Sequence, residues 1–149
     1  MQKIRTSLLL TLVALAGYGL PTAAQAQIDS VAGFWKTVDD KTGEVRAIVH
    51  IYQADDGLYY GKIHAMLRYA DARCLRCDGD DKGKPLQGLV IIRDMKPDRD
   101  VLKGGRVLDP ETGKQYYCSI RLDPQTGRLV LRGSLDKRGL LGRNQYWIR

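Results

Sequence analysis

The sequence has few of the residues that carry chemistry. It holds two histidines, His50 and His64, and three cysteines, Cys74, Cys77 and Cys118. A structural zinc site needs four ligands, and the three cysteines with one histidine reach four by count alone. No serine stands in a nucleophile-elbow motif and no Gly-rich loop is built for phosphate, so hydrolase and nucleotide chemistry have no visible apparatus. The segment "DGDDKG" at Asp78–Gly83 resembles a calcium loop, but the twelfth position from Asp78, where the bidentate Glu belongs, is Leu89. No Asp or Glu lies on either histidine-bearing strand to build a proton relay, so both histidines read as surface residues. No catalytic residue, metal or cofactor is expected, and the chain does not read as an enzyme.

Basic runs are missing too. Of 24 Lys and Arg, Lys3 and Arg5 belong to the first segment; the 22 left against 17 Asp and Glu give a net charge of +5. These charges alternate in sign with no basic run of three, the pattern of solvated strand faces rather than a nucleic-acid surface. No feature specifies an oligomeric state.

What is present begins with "MQKIRTSLLLTLVALAGYGLPTAAQAQ". A short basic start, an apolar run over Leu8–Leu20 and the small-x-small triplet Ala24-Gln25-Ala26 form the pattern of a cleaved secretory signal. The run is shorter than the roughly twenty residues that span a bilayer, so no transmembrane segment is expected in the mature form. Residues 1–26 are read as the signal and 27–149 as one domain, periplasmic or secreted. That domain has 149 less 26, or 123, residues, enough for one core.

The mature part shows no helical period. Short segments rich in Val, Ile, Leu and Tyr are separated by Gly, Asp and Pro clusters. The expected strands are Phe34–Val38, Val45–Gln53, Leu58–Leu67, Leu89–Lys96, Arg106–Asp109, Gln115–Asp123, Arg128–Gly133 and Arg143–Arg149. Eight closely spaced strands predict an all-β fold, a small antiparallel up-and-down barrel. One turn recipe, D-x-x-T-G, recurs at Asp39–Gly43, Asp109–Gly113 and Asp123–Gly127. Asp accepts backbone N–H bonds inside such a turn and Gly supplies the positive φ at its exit, so these aspartates read as hairpin builders. Alternation puts Val45, Ala47, Val49 and Ile51 on one face of the second strand. It groups Tyr59, Gly61, Ile63, Ala65 and Leu67 in the third, which requires an odd hairpin loop between them. Cys118 aligns with Tyr116, Ile120 and Leu122 and reads as a core thiol.

"GFWKTVDDKTG", the C-x-x-C, "VLDPETGKQY" and "GLLGRNQYW" occur in the order found in a family of exported bacterial proteins of unknown function, DUF2147, and the chain resembles that family from Gly33 to Trp147. Arg93-Asp94 stands where the family pattern has an aromatic and a glycine. The resemblance implies a lipocalin-like barrel and no established activity. Gly33-Phe34-Trp35 is also similar to the G-x-W that opens lipocalins, where the tryptophan closes one barrel end against an arginine of a late strand. That likeness implies Arg132 or Arg143 as the partner of Trp35 through a cation–π contact.

In an oxidising compartment the C-x-x-C reads first as a disulfide, Cys74–Cys77, pinning a loop, with Cys118 left as a buried thiol. Pairing of Cys118 with either loop cysteine stays open at this point. The last strand is ambiguous, because each of its faces carries polar and aromatic groups. If Arg143, Gln145 and Trp147 point inward, they set a cation and an amide beside indole carbon, the composition of a pocket for a small amphipathic ligand. Trp35, Arg143, Gln145 and Trp147 are therefore the candidate ligand contacts. Two other functions fit the sequence: a thiol-active redox protein using Cys74 and Cys77, and an envelope interaction module with a filled barrel and outer tyrosines Tyr52, Tyr60 and Tyr69.

Overall fold

The computed structural model describes residues 20 and 22–149. The basic start and nearly all of the apolar run of the expected signal lie outside the described residues. A short helix, α1 (Ala23–Asp29), precedes eight strands: β1 (Gly33–Val38), β2 (Val45–Gln53), β3 (Tyr59–Met66), β4 (Val90–Asp98), β5 (Val101–Leu108), β6 (Gln115–Leu122), β7 (Leu129–Ser134) and β8 (Gly142–Trp147). Each strand pairs antiparallel with the next in chain order. β8 returns to β1 through one bridge, in which Lys36 N–H donates to Ile148 O (2.7 Å) and Ile148 N–H to Lys36 O (3.1 Å). The sheet thus forms a nearly closed barrel, as the alternation predicts.

The repeated turns make three of the seven connections in this meander. In each, the Asp carbonyl accepts the Gly N–H at 2.8 Å, and the Asp carboxylate takes a backbone N–H two residues on and the Thr hydroxyl. The exit glycines Gly43, Gly113 and Gly127 all have φ near +70°, where a side chain would be strained. Residues 54–58 form the odd-length loop that brings Val49 opposite Ile63 and Ile51 opposite Gly61.

Two strand readings need correction. In β3 the pairing slips between Val49 and Ile48, so beyond Ile63 it is Met66, opposite Ala47, that continues the inner row. Leu67, expected inside, is half exposed. In β5 the strand starts at Val101, five residues earlier than the alternation shows, because Gly104 (φ +80°) is an extra residue between Lys103 and Gly105. Asp94 answers that bulge on β4 with φ +57°. A left-handed position suits glycine best, and Asp is among the few other residues that tolerate it.

The barrel has two unlike ends. At one, α1 packs against β6, and Ile28 of the helix and Val31 just after it enter the core with Trp35, Tyr59, Met95, Leu102, Ile120 and Leu129. The helix was not expected, since seven residues are too few to display a period. The other end carries the turns β1–β2 and β5–β6, the long β3–β4 connection and the β7–β8 loop. This end is hollow.

Candidate ligand cavity

A cavity of about 830 Å³ opens between those loops and runs down to Trp147. Its walls are mainly apolar: Ala47, Val49, Ile63, Ile91, Val107 and Leu131 point into it because they hold the inner positions of their strands. β8 supplies the polar part. Arg143, Gln145 and Trp147 all line the cavity, which decides the facing that alternation left open. They descend in order of burial: Arg143 is exposed at the mouth, Gln145 half-buried and Trp147 buried. Opposite them on β7 stand Gly133, Leu131 and Leu129.

Among the described residues the Arg143 guanidinium and the Gln145 amide have no hydrogen-bond or ion-pair partner, and the buried Trp147 Nε1–H has no acceptor. Tyr116 of β6 also lines the cavity without a hydrogen bond from its hydroxyl. Sequence reading passed over Tyr116, which alternation had grouped with core residues. A Cβ on Gly133 would lie 3.7 Å from Tyr116 Cβ, so the missing side chain leaves space between Tyr116 and Arg143.

Three of the four rim acids, Asp39, Asp109 and Glu111, are engaged elsewhere. Arg46 is the residue of β2 left without a register partner where β1 slips, and its side chain reaches Asp39 (2.6 Å) and Glu111 of the β5–β6 turn. Backbone N–H groups of Thr42 and Lys41, then Arg46, hold the Asp39 carboxyl below its ordinary range. Asp109 accepts from Glu111 N–H and the Thr112 hydroxyl.

Trp35 is a correction. It is fully buried at the closed end, donates from Nε1 to Val31 O (2.8 Å) and does not line the cavity. Its arginine is neither Arg132 nor Arg143 but Arg149, whose Cζ lies 4.5 Å from the ring centroid and whose Nη2 donates to Ser30 O (2.6 Å). Arg132 instead fastens the β7–β8 hairpin through Gly139 O and Asn144 Oδ1. The G-x-W likeness points to the right device, but a residue two positions past the last strand, Arg149, supplies it.

Cys74 and Cys77 stand at disulfide distance, with Cα atoms 5.3 Å apart, and Cys118 is a separate buried thiol. The pair pins the β3–β4 connection, where Cys74 N–H donates to Lys84 O and Gly83 N–H to Cys74 O, both 2.9 Å. Asp81 of the "DGDDKG" segment pairs with Arg93 (2.6 Å) and Lys84 (3.5 Å), an ion-pair role. Phe34, His50 and His64 cluster on the outer face, with Phe34 stacked on His50 at 4.4 Å. No helix among the described residues is long and apolar enough to cross a membrane.

An up-and-down barrel of eight strands, plugged at one end and hollow at the other, is a lipocalin-like fold. The chain belongs to the DUF2147 family, described as an uncharacterized protein conserved in bacteria, whose model matches residues 33–149. Its structure is similar to that of HP1028 from the human pathogen Helicobacter pylori, described as belonging to the lipocalin family. The TM-score is 0.68 and the identity 21%, over 79% of this chain and 81% of that one. No curated protein matches the chain.

Proposed function

We propose that this is an exported binding protein that holds a small amphipathic molecule in the open half of its barrel without transforming it. The observation that carries the reading is the hollow end itself. Its volume falls within the range of ligand pockets, about 300–1,000 Å³, and a mainly apolar wall carries the β8 row Arg143, Gln145 and Trp147, whose donors are unpartnered among the described residues. A barrel of this size that served only as a scaffold would be filled by its own side chains. The basic start, apolar run and Ala24-Gln25-Ala26 triplet support export, and the Cys74–Cys77 pair fits an oxidising compartment.

The other two readings have less support. Both loop cysteines are buried, at 0% and 2% exposure, which hinders attack by a partner thiolate. An interaction module with a filled barrel does not match the open cavity, although Tyr52 and Tyr60 do stack on the outer face and Tyr69 is exposed.

The test is to express the full chain, recover the protein from the periplasm, establish its first residue by mass and titrate it with dodecyl-chain probes. Of the two tryptophans only Trp147 lines the cavity, so quenching or a shift of emission reports on occupancy. The expected result is a chain starting at Gln27 that binds with a Kd of about 1–10 μM, on the order of −7 to −8 kcal/mol. Absence of any co-purifying ligand together with a flat titration would refute the binding role.

A further inference from the structure

The chemistry of the polar row deepens the reading above, on which this inference rests. We infer that the ligand is an anionic amphipath whose acidic head, a carboxylate or phosphate monoester, sits at the mouth between Arg143, Tyr116 and Gln145, with its apolar chain lying against Val49, Ile63, Ile91 and Leu131.

Three observations converge. First, charge at the rim is unevenly committed. Asp39 and Glu111 are paired with Arg46, and the Asp109 carboxylate is occupied by its own turn. Asp40 and Lys41, exposed neighbours on the β1–β2 turn, carry opposite formal charges and no ion pair among the described residues. Arg143 is left as a cation on the cavity wall with no partner among the described residues.

Second, the groups beside it are chosen for an acceptor. A guanidinium offers up to five N–H donors and accepts none, a phenol donates one, and an amide donates two. Gly133, paired with Cys118 on β6 and Arg143 on β8, contributes no side chain, and a Cβ there would lie 3.7 Å from Tyr116 Cβ, so the three polar groups face common space. Planar bidentate recognition of a carboxylate or phosphate is what guanidinium geometry favours.

Third, depth selects an amphipath over a free anion. Arg143 and Gln145 lie on the same strand face as Trp147, with the apolar positions reaching below them, and four residues of strand span about 13 Å. A head held at Arg143 places a chain of comparable length in the apolar part. A cationic or uncharged head would leave the guanidinium facing a like charge or an inferior acceptor.

The experiment compares dodecanoate, dodecyl phosphate, dodecanol and dodecyltrimethylammonium as ligands of the full-length-derived protein, below their micellar concentrations, by Trp147 fluorescence. Both anions should bind about tenfold or more tighter than dodecanol, and the ammonium probe more weakly than dodecanol. If only one anion shows the preference, that arm names the head: carboxylate or phosphate. Arg143→Gln should bring the anion-to-alcohol ratio close to one, and Arg143→Lys should retain part of it, because it keeps charge without the fork. Arg143 is exposed, so both variants are expected to fold, checked by their far-UV spectra. Anions binding no tighter than dodecanol, or an undiminished ratio in Arg143→Gln, would overturn the inference while leaving the binding role intact. Failure of all four probes would remove both.

Discussion

Burial changes what a side chain can do, and Cys118 shows it most clearly. The thiol lies on the inner face of β6 opposite Gly133, 5% exposed, and burial pushes its pKa from the ordinary 9.0 up to about 12. In the unfolded chain the thiol ionises first and gives up a proton that the folded thiol still holds. Folding stability therefore falls as pH rises from about 9 toward 12, since the folded state binds more protons in that window. Replacing the residue by alanine should flatten this part of the stability profile, measured as the denaturant midpoint at pH 8, 9, 10 and 11. The native protein should also leave a thiol reagent unreacted at pH 8 and release a single equivalent in denaturant without reductant. Two further equivalents should appear only after reduction, since Cys74 and Cys77 are paired. Immediate reaction in native buffer would show that the thiol is not enclosed. The same residue-scale logic separates the two tryptophans: Trp35 satisfies its N–H on Val31 O and serves the fold, whereas Trp147 keeps an unmatched N–H on the cavity wall.

Among the elements, strands were legible wherever alternation ran unbroken, and illegible where one extra residue interrupted it. β2 ends where the pattern says, at Val45 and Gln53, since only side-chain period and turn residues determine it. Gly104 hides the first half of β5, and the slip at His64 turns Leu67 outward, because a bulge is a tertiary pairing choice that no local pattern displays. The site was legible to a similar degree. Arg143, Gln145 and Trp147 could be grouped by period two, but their inward facing depends on pairing with β7, and Tyr116 joins them only once β6 and β7 stand side by side. Arg46 illustrates what such an irregularity does. Left without a partner on β1, it reaches across the mouth to Glu111 and ties the β1–β2 turn to the β5–β6 turn. The pair is largely exposed, so Arg46→Ala should change stability by about 1 kcal/mol or less. Its effect should lie in kinetics: probe association and dissociation in stopped-flow become faster together, with Kd nearly constant, and added salt reproduces part of the change in the wild type. Unchanged rates would mean that the bridge does not restrict the mouth.

For the whole molecule, close packing and open space are divided between the two halves of one tube. The closed half is packed with Trp35, Met95, Leu102, Ile120 and Leu129 and sealed by Ile28 of α1 and Val31 just after it. The open half leaves apolar surface around a void, an arrangement that forgoes dispersion contacts the chain could otherwise make. Gly133 marks the boundary. Its backbone is not in the left-handed region, and a Cβ there would meet nothing closer than 3.7 Å, so a side chain is compatible with the strand and would grow into the cavity. Glycine within a strand costs roughly 0.5–1 kcal/mol relative to a residue with a side chain. Gly133→Leu should therefore raise the thermal midpoint by a few degrees, consistent with a gain on the order of 1 kcal/mol in a domain of this size, and should weaken every dodecyl probe at least about tenfold. A variant more stable than its parent that no longer binds separates the two halves experimentally. If Gly133→Leu instead binds as well as the parent, the ligand does not enter between Tyr116 and Arg143. If it loses stability along with binding, the space at Gly133 is needed by the fold itself, and the hollow end is part of how the barrel closes.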